Sequence, residues 1–258
     1  MRIDAIIFDL GGTLLEYAGV YDSWPELEGP GFKAAHEHFE SEGIDLPDLF
    51  EFQKVGFDIL PQRWQQATAG LKNLTVSSLL AEVLSSFSIV PPADAIMKGA
   101  VSRYQVAVCA GVVPIRYSYE TVKTLKASGF KLGLVSNTMF DGEMHIADMR
   151  RYKLAALFDA MVFSADVNKW KPGIEIFTNV LDRLDVEANR AVFIGDDPGA
   201  DVVGGIRAGL YTIHYLSSER FASVDGVKPD AMINNLAELV PLVSTLIASS
   251  ETNSRQSP

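Results

Sequence analysis

The sequence predicts an α/β fold: a doubly wound, mostly parallel sheet carrying a helical domain inserted after its first strand. Three observations lead there. Short apolar runs recur at residues 3–8, 131–135, 160–163, 191–194 and 211–215, bounded by Gly, Asp or Asn. They are continuous rather than alternating, as strands covered on both faces should be. Helical patterns separate most of these runs, and the stretch from about Glu16 to Val112 carries helical patterns with no clear strand.

Taken in chain order, the first strand runs directly into Phe8-Asp9-Leu10-Gly11-Gly12-Thr13-Leu14. In the insert, helices are expected over 31–41, 75–87 and 93–108, the last opening after Pro91-Pro92. Beyond it, Val122 and Leu125 give residues 118–128 one apolar face, ended by Gly129, and Ile176, Phe177, Val180, Leu181 and Leu184 do the same for 173–184. A helix over 199–208 stops at Gly209, a residue type suited to leaving a helix. The expected organisation is a core of residues 1–15 and 113–248, a helical insert of 16–112, and a polar, disordered tail of 249–258. In such open sheets ligands sit beyond the carboxyl ends of the strands, so function is sought just after each strand.

Composition narrows the partners. Lys plus Arg number 22 against 33 Asp plus Glu, for a net charge of −11, and no basic run marks a phosphate-backbone footprint. Nucleic acid is therefore not an expected partner. Handling an anion would require local positive charge, from a metal ion, a lysine or backbone N–H groups, because the overall field repels it. Cys109 is the single cysteine, which leaves no intrachain disulfide and no Cys/His zinc spacing. Asp4 and Asp9 interrupt the N-terminal apolar stretch, unlike a signal peptide, and no window approaches the roughly 18 apolar residues of a membrane span. A cytoplasmic protein without a membrane partner is expected, and composition leaves oligomeric state open.

Four strand ends carry candidate chemistry. Asp9, followed by Leu10 and two glycines, offers a carboxylate beside backbone N–H groups that an anion can approach, although Asp-x-Gly-Gly also describes many turns. Ser136-Asn137-Thr138 offers a hydroxyl and a loop able to bind phosphate oxygens, or simply a helix cap. In Asn168-Lys169-Trp170-Lys171-Pro172, a proline at or near the first helical position would hold Lys171 extended across the strand ends. Asp196, Asp197 and Asp201 repel one another unless a cation is present, and such hard oxygen ligands suit Mg²⁺; an acidic turn is the plainer alternative.

In that order, each behind its own strand, these four segments resemble the motifs of the haloacid dehalogenase superfamily. Residues 119–137, Ala208-Gly209-Leu210 and residues 229–239 are similar to further parts of that family's core, so the resemblance covers about residues 1–15 and 113–247. The insert matches the position of the family's helical cap. What the resemblance implies is Mg²⁺-dependent transfer of a phosphoryl group from a small phosphorylated substrate. Asp9 would be nucleophile and metal ligand, Lys171 a catalytic cation, and Asp196 a metal ligand together with the Gly11 carbonyl. Asp197 and Asp201 would be outer or alternative ligands. Leu10, Gly11, Ser136, Asn137 and Lys171 would hold the phosphoryl oxygens.

One departure stands out. Phosphatases of this family usually carry a second Asp two residues after the nucleophile, to move protons, and here that position is Gly11. Asp141 and Glu16 are possible substitutes. Two other readings follow from the gap: a 2-haloacid dehalogenase, or a binding protein that keeps the fold without catalysis. Trp24, Trp64, Arg63 and Lys72 lie in the insert and could reach a substrate, with packing or solvated roles as the alternative. His36, His38, His145 and His214 have no motif around them and read as packing or surface residues.

Overall fold

The computed structural model describes residues 2–17, 24–216, 221 and 223–254. Its elements, in chain order, are β1 (Ala5–Phe8), β2 (Leu15–Glu16), α1 (Trp24–Ser41), α2 (Leu49–Thr68), α3 (Val76–Ser86), α4 (Asp94–Cys109), β3 (Val113–Pro114), α5 (Ser118–Ala127) and β4 (Lys131–Ser136). There follow α6 (Gly142–Arg151), β5 (Ala160–Phe163), α7 (Ser164–Val167), α8 (Ile174–Leu184), β6 (Ala191–Gly195), α9 (Val203–Arg207), β7 (Tyr211–Tyr215), β8 (Ala231–Ile233) and α10 (Leu239–Ser254). Six strands form one parallel sheet in the order β5-β4-β1-β6-β7-β8. The chain builds outward from β1 on one side, then crosses back to β6 on the other. The point of reversal lies at the carboxyl end of β1, where an open α/β sheet leaves a crevice.

The runs in β1, β4, β5 and β6 each serve two cores. Ile6, Phe8, Leu132, Leu134, Val192 and Ile194 face one layer, with Val122 and Leu125 of α5, Met149 of α6, and Leu239 and Val243 of α10. Ala5, Ile7, Val135, Ala191 and Phe193 face the other, against Ile176, Phe177, Val180 and Leu184 of α8. Strand alternation thus persists beneath a continuous apolar sequence, because both faces are covered.

Residues leave the sheet through β2 and return through β3, and Glu16 pairs with Val113 in that short antiparallel ladder. Between them, α1 to α4 bury a separate core of Phe32, Phe39, Phe52, Leu60, Leu79, Leu80, Val83 and Tyr104, among others. Gly31 and Gly56 permit the close helix approach: a Cβ at either would overlap the ring of Tyr104 or Phe32 respectively. Met139, Phe140 and Trp170 join this core from the sheet unit. The Val76 N–H donates to the Met139 carbonyl at 3.0 Å and the Trp170 indole to Asn73 Oδ1 at 3.0 Å, so the two units are also docked by hydrogen bonds.

Several expectations need correction. The first strand starts at Ala5 rather than residue 3, and helix α2 was not anticipated, since Gly56 and Pro61 interrupt its pattern. Helix α1 begins at Trp24 and passes through Pro30. The 199–208 helix opens with a π-helical turn at Pro198–Val202, where the Asp197 carboxylate accepts from the N–H groups of Gly199 and Ala200. α10 continues to Ser254, so the stretch expected to be disordered from 249 is helical that far; 255–258 lie outside the described residues. No described helix is long and apolar enough to cross a membrane.

Phe32 is fully buried, with ring centroids 5.2 Å from both Phe57 and Tyr104. Truncating it to alanine removes the centre of the helical core. Phe32→Ala is expected to lower unfolding free energy by about 3–5 kcal/mol, measured by urea denaturation; a loss below about 1 kcal/mol would show that the insert collapses around the gap.

Candidate active site

The four strand-end segments converge on one crevice. Asp9 follows β1, between β4 and β6, with its N–H bonded to the Ile194 carbonyl at 2.8 Å. Lys171 reaches it from beyond β5 and is only 2% exposed. Its ammonium donates to Asp9 Oδ1 at 2.6 Å, to Asp201 Oδ1 at 2.7 Å and to the Val135 carbonyl at 3.2 Å. Three donors meet three acceptors.

Asn137 aims this lysine. Its side-chain amide donates to the Lys171 carbonyl at 2.9 Å and its Oδ1 accepts the Lys171 N–H at 2.8 Å. Pro172 lies near the first helical position, two residues before it: it precedes Gly173, the N-cap of α8, and the Lys171–Pro172 peptide is cis. The Gly173 N–H turns back to the Trp170 carbonyl at 2.8 Å, and that turn delays the helix.

Asp196 is buried at the end of β6, its Oδ1 3.5 Å from the Thr13 hydroxyl, and its carbonyl contacts His214 Nε2 at 3.1 Å. Gly12 has φ +85°, and a Cβ there would overlap the Asp196 carboxylate; a Cβ on Gly195 would overlap that of Asp201. Both acids therefore rest against bare backbone. Asp9, Asp196 and Asp201 each present an oxygen within 4.8 Å of the others. Asp197 does not join them, because its carboxylate caps the turn that follows. Leu10 is buried in the sheet core, and it is not among the residues that line the cavity above these groups.

A cavity of about 570 Å³ opens above these groups. Asp9, Gly11, Ser136, Asn137, Lys171 and Asp196 line its floor, and Leu27, Glu28, Trp64, Thr68 and Val108 of the insert line its roof. Arg63 is elsewhere, paired with Glu82 and Gln66, and Lys72 is exposed, so neither reaches the cavity. Trp64 does, packed edge-on against Trp170 at 5.2 Å; the side chain of Trp24 lies outside the described residues. Asp141 caps α6 and is exposed, and Glu16 sits on β2, so neither proposed substitute for the absent Asp lines the cavity.

Sequence reading passed over three residues that do. Tyr17 donates to or accepts from His145 Nδ1 at 2.8 Å, and His145 Nε2 contacts the Thr138 hydroxyl at 2.7 Å. This chain borders the space beside Gly11, where a Cβ would meet the Tyr17 ring at 3.6 Å. Glu28 is the third, its carboxylate accepting from the Tyr104 hydroxyl at 2.8 Å. No motif signals any of them, since their positions depend on how the insert packs.

Burial raises the Asp9 carboxyl to about 6, with Lys171 opposing and Asp201 reinforcing the shift. Burial disfavours the Lys171 ammonium, but Asp201 and Asp9 outweigh it and hold Lys171 above its ordinary value. His145 is pushed down to about 4 by burial, which keeps it neutral at neutral pH. Glu28 is pushed up to about 7, again by burial, against the Tyr104 hydrogen bond.

Glu28 therefore binds its proton more tightly folded than unfolded, where its value is near 4.5. Folded-state stability is lost as pH rises from about 4.5 to 7 and is unaffected below that window. Glu28→Gln is expected to match the parent chain near pH 4 and to exceed it by up to roughly 3 kcal/mol near pH 8, measured by urea unfolding at both. A difference independent of pH would mean that the carboxyl is not shifted.

Comparison with known proteins agrees with this arrangement. A family model, haloacid dehalogenase-like hydrolase, matches residues 3–209. Pyrophosphatase PpaX of Bacillus cereus (strain B4264) is 34% identical over 131 residues, 50% of this chain and 58% of the relative, so the likeness spans little more than half of that protein. Ribulose-1,5-bisphosphate 5-phosphatase of Halopiger xanaduensis is 26% identical over 249 residues, 93% of this chain and 99% of the relative. A 2-haloacid dehalogenase of Pseudomonas syringae pv. Tomato DC3000 shares the fold with a TM-score of 0.69 at 22% identity, covering 95% of this chain and all of the other. The HAD-hydrolase YfnB of Bacillus subtilis, solved bound to magnesium, does so with a TM-score of 0.61 at 20% identity, covering 94% and 99%. With its sheet, its strand-end acids and a family match spanning most of its length, the chain belongs to the haloacid dehalogenase-like hydrolases.

Proposed function

We propose that this hydrolase is a Mg²⁺-dependent phosphatase that cleaves small phosphorylated metabolites through an aspartyl-phosphate on Asp9. One observation carries the reading: a buried carboxylate at the sheet's switch point touches an ammonium at 2.6 Å and lies beside two further buried acids. Oxygen-only donors gathered against glycine backbone fit a small hard cation. Asp9 and Asp196, with the Gly11 carbonyl, would hold it, leaving Asp201 as an outer partner because its oxygens already accept from Lys171 and the Asp197 N–H. When bound, Mg²⁺ offsets charge on the carboxylates and the phosphoryl oxygens. YfnB, bound to magnesium on the same fold, is in keeping with that choice.

The chain's own groups do the rest. An Asp9 oxygen attacks phosphorus while the ester P–O bond breaks and its electron pair leaves with the ester oxygen. Water then attacks the phosphorus of the acyl phosphate and regenerates the carboxylate. Lys171 keeps Asp9 ionised and faces the phosphoryl oxygens, and the Ser136 hydroxyl and Asn137 N–H complete their cradle. The insert acts as a cap, placing Trp64 and its neighbours over the crevice to exclude water. Relatives named for cleaving phosphate esters and anhydrides fit this class. A dehalogenase would leave Asp196 without a task, whereas Asp201 would still hold Lys171.

Position 11 has no side chain to protonate a leaving group, so aryl and acyl phosphates should turn over best. Asp9→Asn is expected to abolish Mg²⁺-dependent phosphate release from p-nitrophenyl phosphate, as is EDTA; equal rates in variant and parent would remove Asp9 from the mechanism. Gly11 is not among the glycines with positive φ, and a Cβ there meets only the Tyr17 ring at an ordinary 3.6 Å. Gly11→Asp should therefore fold and raise turnover of alkyl phosphates by about 10²-fold or more. An unchanged rate would show that proton transfer is already supplied.

A further inference from the structure

Glu28 lines the cavity, yet no step above uses it. The residue lies in α1, 3% exposed, and accepts one hydrogen bond, from Tyr104. Tyr104 is itself fully buried, and the absence of a Cβ at Gly31 makes room for its ring. Leu27, Trp64, Val108, Met139 and Phe140 surround the same space with apolar surface. Among the described residues Glu28 has no ion pair, and burial holds its carboxyl at about 7. A buried carboxyl with a single neutral partner is costly, and fold stability alone would favour an apolar or amide side chain there. Its remaining hydrogen-bonding capacity faces the cavity, where a ligand can supply the donor.

Lys171 is the sole Lys or Arg among the described cavity-lining residues, and both of its acid partners already engage it. The roof therefore offers a second anionic group a carboxyl and no cation. We propose that Glu28 is a specificity-determining residue: the cavity selects phosphate monoesters whose leaving group carries an amine or hydroxyl donor on a compact apolar body, and disfavours those with a second anionic group. The donor satisfies the free capacity of the carboxyl, while a carboxylate or second phosphate meets repulsion and unpaired burial. The chain would thereby differ from its relatives named for pyrophosphate and a bisphosphate. This inference rests on the phosphatase reading.

The test is a kcat/KM panel of aminobutyl, hydroxybutyl, pentyl and carboxybutyl phosphate, together with pyrophosphate and a sugar bisphosphate, on the full chain with Mg²⁺. Aminobutyl and hydroxybutyl phosphate should exceed pentyl phosphate by about tenfold, mainly through KM, with the doubly anionic compounds below it. Glu28→Leu should erase that ranking, lowering kcat/KM more on the donor-bearing phosphates than on pentyl phosphate; Glu28→Gln, which keeps an acceptor without the charge, should lower kcat/KM more for the amine than for the hydroxyl. A flat ranking in the parent chain, a preference for the bisphosphate, or an equal loss on every substrate in Glu28→Leu would overturn the proposal. Should Glu28→Leu not fold, the parent ranking and Glu28→Gln decide. Calorimetric binding of aminobutyl and pentyl phosphonate separates the two readings. Selective binding without phosphate release would sink the Asp9 chemistry and leave Glu28 standing. Asp9-dependent release without selectivity would sink Glu28 alone.

Discussion

A single ammonium ties the structure's functional end together. Lys171 bridges Asp9 and Asp201, from opposite ends of the sequence, and also holds the end of β4 through the Val135 carbonyl. Buried carboxylates this close repel strongly, and their charges persist in the interior only with a compensating cation in good geometry. Everything around the crevice serves that geometry: the sheet order places β1 between β4 and β6, Asn137 clamps the lysine's backbone, and glycines give the acids room to approach. A buried ion network of this kind is a poor source of stability and a good source of fixed positions.

The second organising feature is the junction of two cores. The helical insert has its own aromatic centre, but Met139, Phe140 and Trp170 belong to that centre and to the loops bearing Asn137 and Lys171. Packing of the insert is therefore coupled to the placement of the strand-end loops by shared side chains. The same junction forms the roof of the cavity, and it is where Tyr17, His145 and Glu28, none of them signalled by a motif, come together with the strand-end residues. Burial governs their chemistry: it holds His145 neutral and Glu28 close to half-protonated at neutral pH.

Gly12 and Glu28 illustrate stability given up for function. Gly12 adopts a left-handed conformation so that a carboxylate can rest against its backbone. Glu28 keeps a titratable group in a buried position, where burial disfavours its charged form. Sites that break local rules in this way are where a ligand is expected to restore the balance.

The sequence by itself determined five of the six sheet strands, the helical character of the stretch after the first and the four strand-end segments, because each is written in contiguous residues: an apolar run, a helical period, a carboxylate or lysine directly after a strand. It did not mark α2, inside which lie Gly56 and Pro61 and where the glycine admits the ring of Phe32. It was silent on which acid turns away, since Asp197 and Asp201 look alike until a turn captures one carboxylate and Lys171 the other. Only the tertiary structure decided the cavity's roof. The contact between Tyr17 and His145 spans 128 residues and that between Glu28 and Tyr104 spans 76, and such pairings are set by how whole helices pack, not by any pattern along the chain.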